Sequence, residues 1–224
     1  MFKPGAYVDP YVCKIVLAHA SLMACTSYKT KRVPVWLQRK AVHIGTGMLV
    51  LHAEASGYTW HMRVCATIAL LCYITRTLPN GVFHANVEGL LLGRYDPGVL
   101  SFILVTWFGA WSGMGLLVFA PAYLADPMGA IVGRGVPTTF HRWFNLEVCQ
   151  RQGRSAIGST VVWLTSLIVY MCDGKSNTRS VLAASLITMA ELFGGAYDNM
   201  TVAFACVVSE IGFSTLDQYH PGID

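Results

Sequence analysis

The sequence predicts an all-α integral membrane protein, a polytopic helical bundle with seven or eight short spans that forms a single domain over residues 1–224. The first observation is composition, because 54% of the residues are hydrophobic and only 12% are charged, against about 25% charged residues in an ordinary soluble domain. The second is a series of apolar segments separated by polar turns. The third is the uneven distribution of lysine and arginine among those turns. The seven cysteines, which include no C-x-x-C pair, are interpreted as small buried hydrophobic residues.

The first half of the chain contains five apolar segments. They cover roughly Tyr11 to Ser27, Ala41 to Ser56, Met62 to Leu78, and two short helices within Gly98 to Leu124. The basic stretch Lys29 to Lys40 separates the first two segments, and the turn signal Pro79-Asn80-Gly81 ends the third. The mixed piece Val82 to Pro97 is expected to form a short helix on the bilayer surface. A glycine turn at Trp111-Ser112-Gly113 is expected to divide the fourth segment from the fifth.

The second half of the chain contains three further segments. They run from Ser155 to Cys172, from Ser180 to Phe193 and from Asn199 to about Phe213. Gly194-Gly195 is expected to break the helix between the last two segments. Because several segments are shorter than the roughly 20 residues of a straight span, we expect tilted helices or spans partly buried in protein.

The alternation of spans places most of the positive charge on one membrane face. Eleven of the 16 Lys and Arg residues fall in three loops on that face, Lys29 to Lys40, Arg76 to Arg94 and Arg134 to Arg154. By the positive-inside rule this is the inner face, and both termini then lie on the outer face. The same alternation is expected to bring one set of polar residues together at the inner face: Arg39, Lys40, His43, Asp126, Arg134, Arg154, Glu191 and Asp198.

The stretch from Leu124 to Ser159 concentrates charge and glycine between two apolar segments. The simplest structural interpretation is that Asp126 caps a helix that begins at Pro127, since proline is tolerated at the first helical position, and capping is compatible with a role in metal binding. A basic loop follows, and Arg154-Ser155 opens the next segment. Backbone amides at the start of a helix after Asp126 or Ser155 can bind an anion. Glycines at 129, 133, 135 and 158 allow the backbone to approach a nucleotide closely.

Three acids near the ends of spans indicate the chemistry of the site. Asp126, Glu191 and Asp198 are costly beside hydrocarbon unless they are paired or bind a ligand. Their carboxylates, with the amide of Asn199, are suited to Mg²⁺ held against phosphates, and the arginines and Lys40 can hold phosphate oxygens. These residues predict a phosphoryl-transfer site, where catalysis is mostly positioning and charge neutralisation. The sequence lacks the G-x-x-x-x-G-K-[ST] motif, which excludes a soluble P-loop fold.

Five motifs occur along the chain in a characteristic order. They are Arg39-Lys40-x-x-His43-x-Gly45, Asp126 with Gly133-Arg134, Arg154-Ser155-x-x-Gly158-Ser159, Glu191, and Asp198-Asn199-Met200-Thr201-Val202. In this order they resemble the motifs of the polyprenol kinase family, which contains dolichol kinase, phytol kinase and the CTP-dependent diacylglycerol kinase and is related to the phosphatidate cytidylyltransferases. The resemblance covers roughly residues 39–205, most of the chain.

The resemblance implies a membrane kinase that uses CTP and Mg²⁺ to phosphorylate a long-chain alcohol or diacylglycerol. By this analogy His43, Asp126 and Asp198 are the catalytic candidates, with His43 as the base for the alcohol although an acid could serve. Asp126, Glu191 and Asp198 are the candidate metal ligands. The implied nucleotide- and phosphate-binding residues are Arg39, Lys40, Gly133, Arg134, Arg154, Ser155, Gly158, Ser159 and Asn199.

Two departures from the family pattern leave alternatives open. Arg154 stands where the family usually has lysine, and Pro127 follows the first aspartate where small residues are usual. One alternative is an inactive family member that serves as a structural or lipid-binding subunit of a larger membrane assembly; another is cytidylyl transfer to phosphatidate. The expected partners are membrane lipids and no nucleic acid, since the net charge is only +4. The lipid alcohol and the membrane (endoplasmic reticulum, plastid or inner mitochondrial) are left open.

Overall fold

The computed structural model of the chain describes Lys14, Leu17 and residues 34–77, 97–135 and 155–219. All the regular structure in these ranges is helical, which confirms the predicted all-helical class. In chain order the helices are α1 Val35–Ala55, α2 Thr59–Thr77, α3 Pro97–Ser112, α4 Ala120–Gly135, α5 Ala156–Cys172, α6 Asn177–Gly194 and α7 Asp198–Tyr219. Two 3₁₀ turns, Leu116–Phe119 and Gly195–Tyr197, lead directly into α4 and α7.

The helices pack as an antiparallel bundle with α4 at its centre. Helix α4 contacts α1, α5 and α7, while α6 packs between α5 and α7, and α3 joins α2 to α7. The core surrounds the beginning of α4, where Leu116, Phe119 and Tyr123 are fully buried. Ile187 of α6 and Val202 of α7 are buried in the same cluster. The elements that carry the predicted site are therefore arranged around α4.

Two helical stretches are long and apolar enough, by length and composition, to cross a membrane: Leu116–Gly135 and Asp198–Tyr219. Helices α3 and α5 are apolar but shorter. The surface between the ends of the bundle carries many exposed large apolar side chains, among them Leu71, Ile168, Leu182 and Phe204. A soluble monomer rarely exposes apolar surface on this scale, so the structure is compatible with a helical membrane protein. The number of spans remains a prediction.

Three predicted helix boundaries agree with the structure. The polypeptide turns between α3 and α4 at Gly113 and Gly115, whose φ angles of 76° and 87° favour glycine. Helix α6 ends at Gly194, followed by Gly195 at φ 59°. Helix α5 begins after Ser155, as the motif analysis predicted.

Two other boundaries were predicted wrongly. Helix α1 begins at Val35, after Pro34, so Arg39 and Lys40 lie inside the helix rather than in a loop before it. Asp126 and Pro127 lie in the interior of α4, so Asp126 does not cap a helix that starts at Pro127. Apolar residues precede and follow this dipeptide, and the helix continues through the proline at the cost of one backbone hydrogen bond to Tyr123.

Some of the predicted elements lie outside the described residues. Of the first apolar segment only Lys14 and Leu17 are described, and both are exposed and helical. The expected surface helix before Pro97, the basic loop after Gly135 and Arg154 are not described. Among the described cysteines only Cys206 is buried, while Cys65, Cys72 and Cys172 are exposed, so the prediction of buried cysteines is wrong for these three.

Candidate functional site

An ion pair between α1 and α4 is the polar centre of the candidate site. Lys40 Nζ donates a hydrogen bond of 2.6 Å to Asp126 Oδ2. The Asp126 side chain is 4% exposed and the Lys40 side chain 24% exposed. Because removing a charge from water is costly, a carboxylate this deeply buried requires such a partner. Lys40 provides it from within α1.

His43 lies one turn along α1 from Lys40, on the same face of the helix. Its Nε2 atom is 3.2 Å from the carbonyl oxygen of Ala122 in α4. A carbonyl oxygen only accepts, so Nε2 carries the proton and, in the neutral ring, Nδ1 holds the free electron pair. The ring also packs edge-on against Phe102 of α3, with the ring centroids 4.5 Å apart. If His43 acts as the predicted base, the reacting atom is therefore Nδ1.

Gly47 allows α1 and α4 to come close enough for these contacts. A Cβ atom at this position would lie 2.6 Å from Cβ of Tyr123. Lys40, His43 and Gly47 recur at intervals of three and four residues, so they form one stripe along the helix. Gly47 therefore has a specific packing role beside Tyr123.

Three glycines let α4 and α5 cross in close contact beside the ion pair. A Cβ at Gly129 would lie 2.9 Å from the carbonyl oxygen of Gly158, and a Cβ at Gly133 would lie 2.7 Å from Ser155 Oγ. The Ser155 hydroxyl accepts a 3.0 Å hydrogen bond from the Gly158 amide and so caps α5. The predicted helix start after Ser155 is therefore correct. The glycines serve a tight helix crossing, in the manner of small-residue contacts between membrane helices.

Asn199 occupies a buried position at the start of α7. It is 3% exposed, and its side-chain amide lies 3.4 Å from both the Gly98 carbonyl and Ser101 Oγ of α3. Within the described part of the chain its Oδ1 atom has no hydrogen-bond partner. Such a buried acceptor is costly, which makes Asn199 a candidate to bind a ligand donor.

The remaining predicted residues lie around these groups. Asp198 is the first residue of α7, and its Oδ1 atom accepts a 2.8 Å hydrogen bond from the backbone N–H of Asn199. Glu191 of α6 is buried, with 7% exposure. Arg39 is exposed, and the exposed Arg134 holds its guanidinium 5.2 Å from the ring centre of Trp36. Ser159 Oγ is buried, and the structure shows no hydrogen-bond partner for it in residues 34–77, 97–135 or 155–219.

The structure links the residues on α1 and α4 to those on α7 through α3. Ser101 contacts Asn199, and the adjacent Phe102 contacts both His43 and Tyr123. Sequence analysis missed Ser101 because it assigned this segment only as an apolar span. The detectable signal was a lone serine within the apolar run Gly98 to Val105.

The three predicted metal ligands are not brought together as one cluster. Among the residues that the structure describes, no three His, Cys, Asp or Glu side chains lie close enough to hold a metal ion. Asp126 instead binds Lys40. The described residues therefore do not fit a three-carboxylate magnesium site, and a requirement for Mg²⁺ remains a prediction.

Comparison of the chain with models of known protein families, with curated proteins and with solved structures yields no match. The resemblance to polyprenol kinases therefore rests on the five motifs and remains a prediction.

Proposed function

We propose that the chain is an integral membrane phosphotransferase that transfers the γ-phosphoryl group of CTP to the hydroxyl of a long-chain lipid alcohol or diacylglycerol. The antiparallel helices support this proposal because they collect Lys40, His43, Asp126, Ser155 and Asn199 toward the same end of the bundle. We place that end at the inner face of an organelle membrane crossed by seven or eight spans. CTP would reach the site from the aqueous side and the alcohol from the bilayer.

The buried Lys40–Asp126 pair is the observation that carries the proposal. A structural membrane protein can replace such a pair by apolar residues without loss of stability, and often with a gain. Ionisable residues inside membrane bundles instead mark ligand and proton pathways as a rule. The pair offers both parts that phosphoryl transfer requires, a cation for phosphate oxygens and a carboxylate that can interact with the acceptor hydroxyl.

The proposed reaction forms a bond from the lipid oxygen to the γ-phosphorus and breaks the bond from that phosphorus to the bridging oxygen, so that CDP leaves. Lys40 neutralises charge on the phosphate oxygens, with Arg39 and Arg134 nearer the aqueous surface. The hydroxyl proton passes to Asp126 or to Nδ1 of His43. The Asn199 Oδ1 atom can accept a hydrogen bond from a substrate hydroxyl or from the cytosine amine.

The experiment uses the full chain purified in lipid, with Mg²⁺, CTP labelled at the γ-phosphate and a panel of dolichol, phytol, farnesol and diacylglycerol. We expect label in at least one lipid and its loss in Asp126→Asn. A Gly212→Ala variant is the matched control, because a Cβ there meets no atom within 4 Å. Release of pyrophosphate instead of CDP would replace the kinase proposal with cytidylyl transfer.

Absence of both lipid labelling and CTP binding in the folded wild-type protein would overturn the proposal. The chain would then be better described as a structural or lipid-binding subunit of a larger membrane assembly.

A further inference from the structure

Arg63, near the start of α2, is held in a fixed orientation by contacts with the end of α3. Its Nε atom donates a 2.7 Å hydrogen bond to the carbonyl oxygen of Ala110. Its guanidinium carbon lies 5.4 Å from the ring centre of Trp111, which is within the range of a cation–π contact. The Trp111 indole N–H donates to the Thr67 hydroxyl at 3.2 Å, and that hydroxyl donates to the Arg63 carbonyl at 2.8 Å. Together these contacts fix the guanidinium before any ligand binds.

The two Nη atoms of Arg63 are not used by these contacts. Across residues 34–77, 97–135 and 155–219 the structure gives them no hydrogen-bond partner and no carboxylate at ion-pair distance. Glu54, an acid at the same end of the bundle, instead binds the backbone amides of Leu116 and Leu117. With Nε occupied, the two Nη atoms still form the planar fork that binds two oxygens of one anion. Arg63 therefore presents a preorganised anion-binding edge to the surface.

Arg63 stands where the exposed apolar surface of α2 begins. Val64 and Ile68, in the turns that follow, are exposed. Trp60, which precedes Arg63 on α2, is also exposed and meets the exposed Trp111 edge-on, with the ring centroids 6.4 Å apart. Exposed tryptophans are typical of the level of the phospholipid headgroups in a bilayer. An anion on Arg63 would thus lie at headgroup level, beside apolar surface suited to acyl chains.

We propose that Arg63 and Trp111 form a binding site for the phosphate group of a phospholipid, whose acyl chains lie against α2. A free phosphate ion offers the same oxygens, but it would leave Val64 and Ile68 uncovered. Lys40 lies near the start of α1, whereas α2 begins after the turn at the end of α1, so this site is at the opposite end of the bundle from the Lys40–Asp126 pair. The proposal is therefore independent of the proposed phosphoryl transfer.

The test is native mass spectrometry of the full-length protein in dodecyl maltoside, a detergent without phosphate, titrated with dioleoylphosphatidylglycerol. A galactolipid with the same acyl chains supplies the chains without the phosphate, and glycerol phosphate supplies the phosphate without the chains. We expect the phospholipid to bind and neither competitor to displace it at equal concentration. Displacement by glycerol phosphate would indicate a site for free phosphate, and displacement by the galactolipid would indicate unspecific coverage of apolar surface. Either result would overturn the proposal.

Variants of Arg63 assign the binding to this site. Arg63→Gln should weaken phospholipid binding roughly fivefold, because the charged fork is lost. Arg63→Lys keeps the charge and a donor for the Ala110 carbonyl, so it should fold, yet it should bind roughly threefold more weakly because lysine has no fork. Thermal unfolding checks that each variant is folded.

Lys14→Gln is the matched control, because it removes one positive charge from an exposed residue on the same predicted outer face. It should leave phospholipid binding unchanged. Equal binding by the wild-type protein and both Arg63 variants would overturn the proposal. So would a loss in Lys14→Gln as large as that in Arg63→Gln, since net charge alone would then explain the binding.

Discussion

Lys40 Nζ lies 2.6 Å from Asp126 Oδ2, and this contact joins residues that are 86 positions apart in the chain. The aspartate is almost entirely buried, whereas the lysine retains partial access to solvent. The two residues therefore differ in how they tolerate loss of the partner: the lysine can extend toward water, whereas the carboxylate cannot.

This difference in solvent access predicts the order of stability among variants of Lys40 and Asp126. Lys40→Met leaves a buried carboxylate without its cation and should cost on the order of 3 kcal/mol. Asp126→Asn should cost less, because Lys40 can extend to solvent. The double variant Lys40→Met/Asp126→Asn should be more stable than Lys40→Met alone. Thermal unfolding in detergent measures all three, and simple additivity of the two losses would contradict the prediction.

A glycine-to-alanine substitution should have opposite effects on stability at Gly129, in the crossing of α4 and α5, and at Gly212 in α7. Gly129→Ala places a Cβ 2.9 Å from the Gly158 carbonyl oxygen and against the Val162 side chain, so it should destabilise the protein by about 1–3 kcal/mol. Gly212→Ala in the middle of α7 meets no atom within 4 Å and should stabilise it by about 0.5–1 kcal/mol. Midpoints of thermal unfolding compare the two, and a stable Gly129→Ala would show that the helices cross less closely.

Glu54 is a residue whose role the sequence did not suggest. Its two carboxylate oxygens accept hydrogen bonds of 2.7 Å and 2.9 Å from the backbone amides of Leu116 and Leu117, where the helical stretch leading into α4 begins. It acts as a helix cap supplied by another helix.

Glu54→Ala should therefore lower stability by about 1–2 kcal/mol. Glu54→Gln keeps one acceptor oxygen in the same place and should lose roughly half as much. Thermal unfolding of the two variants beside the wild-type protein provides the measurement. Equal losses in both would mean that the charge, rather than the number of bonds, dominates the cap.

The antiparallel order predicts which residues face the same side of a membrane. Ser56, in the turn after α1, and Cys172, at the end of α5, lie at one end of the bundle, and Tyr197 lies at the other. In sealed vesicles an impermeant thiol reagent should label Ser56→Cys and the native Cys172 from the same side, and Tyr197→Cys from the opposite side. Each variant is made with the other cysteines replaced, and labelling of all three from one side would refute the membrane topology.

Several helix ends were predictable from the sequence because they depend on local backbone chemistry. The Trp111-Ser112-Gly113 and Gly194-Gly195 breaks and the Ser155 cap each follow from residues that favour turns or capping. The alternation of helix direction then placed Lys40 and Asp126 toward the same end. These features together define much of the framework around the candidate site.

Contacts within that framework were not predictable in the same way. Asp126 was expected to cap a helix, yet its oxygen bonds to Lys40 within a continuous helix. Whether Asp126 meets Lys40 depends on how α1 and α4 are rotated about their axes. When a helix is apolar on nearly every side, its sequence does not indicate which side faces a neighbouring helix. For the same reason Ser101 and Glu54 became apparent only when their partners on other helices were known.

The contacts of α1 with α4 lie at three heights: the Lys40–Asp126 pair near one end, Gly47 against Tyr123 in the middle and Glu54 on the Leu116 amide at the other end. A slide of either helix along its axis would break both polar contacts at once. The two helices therefore behave as a single rigid body. Any movement within the bundle that leaves these contacts intact must therefore carry α1 and α4 together.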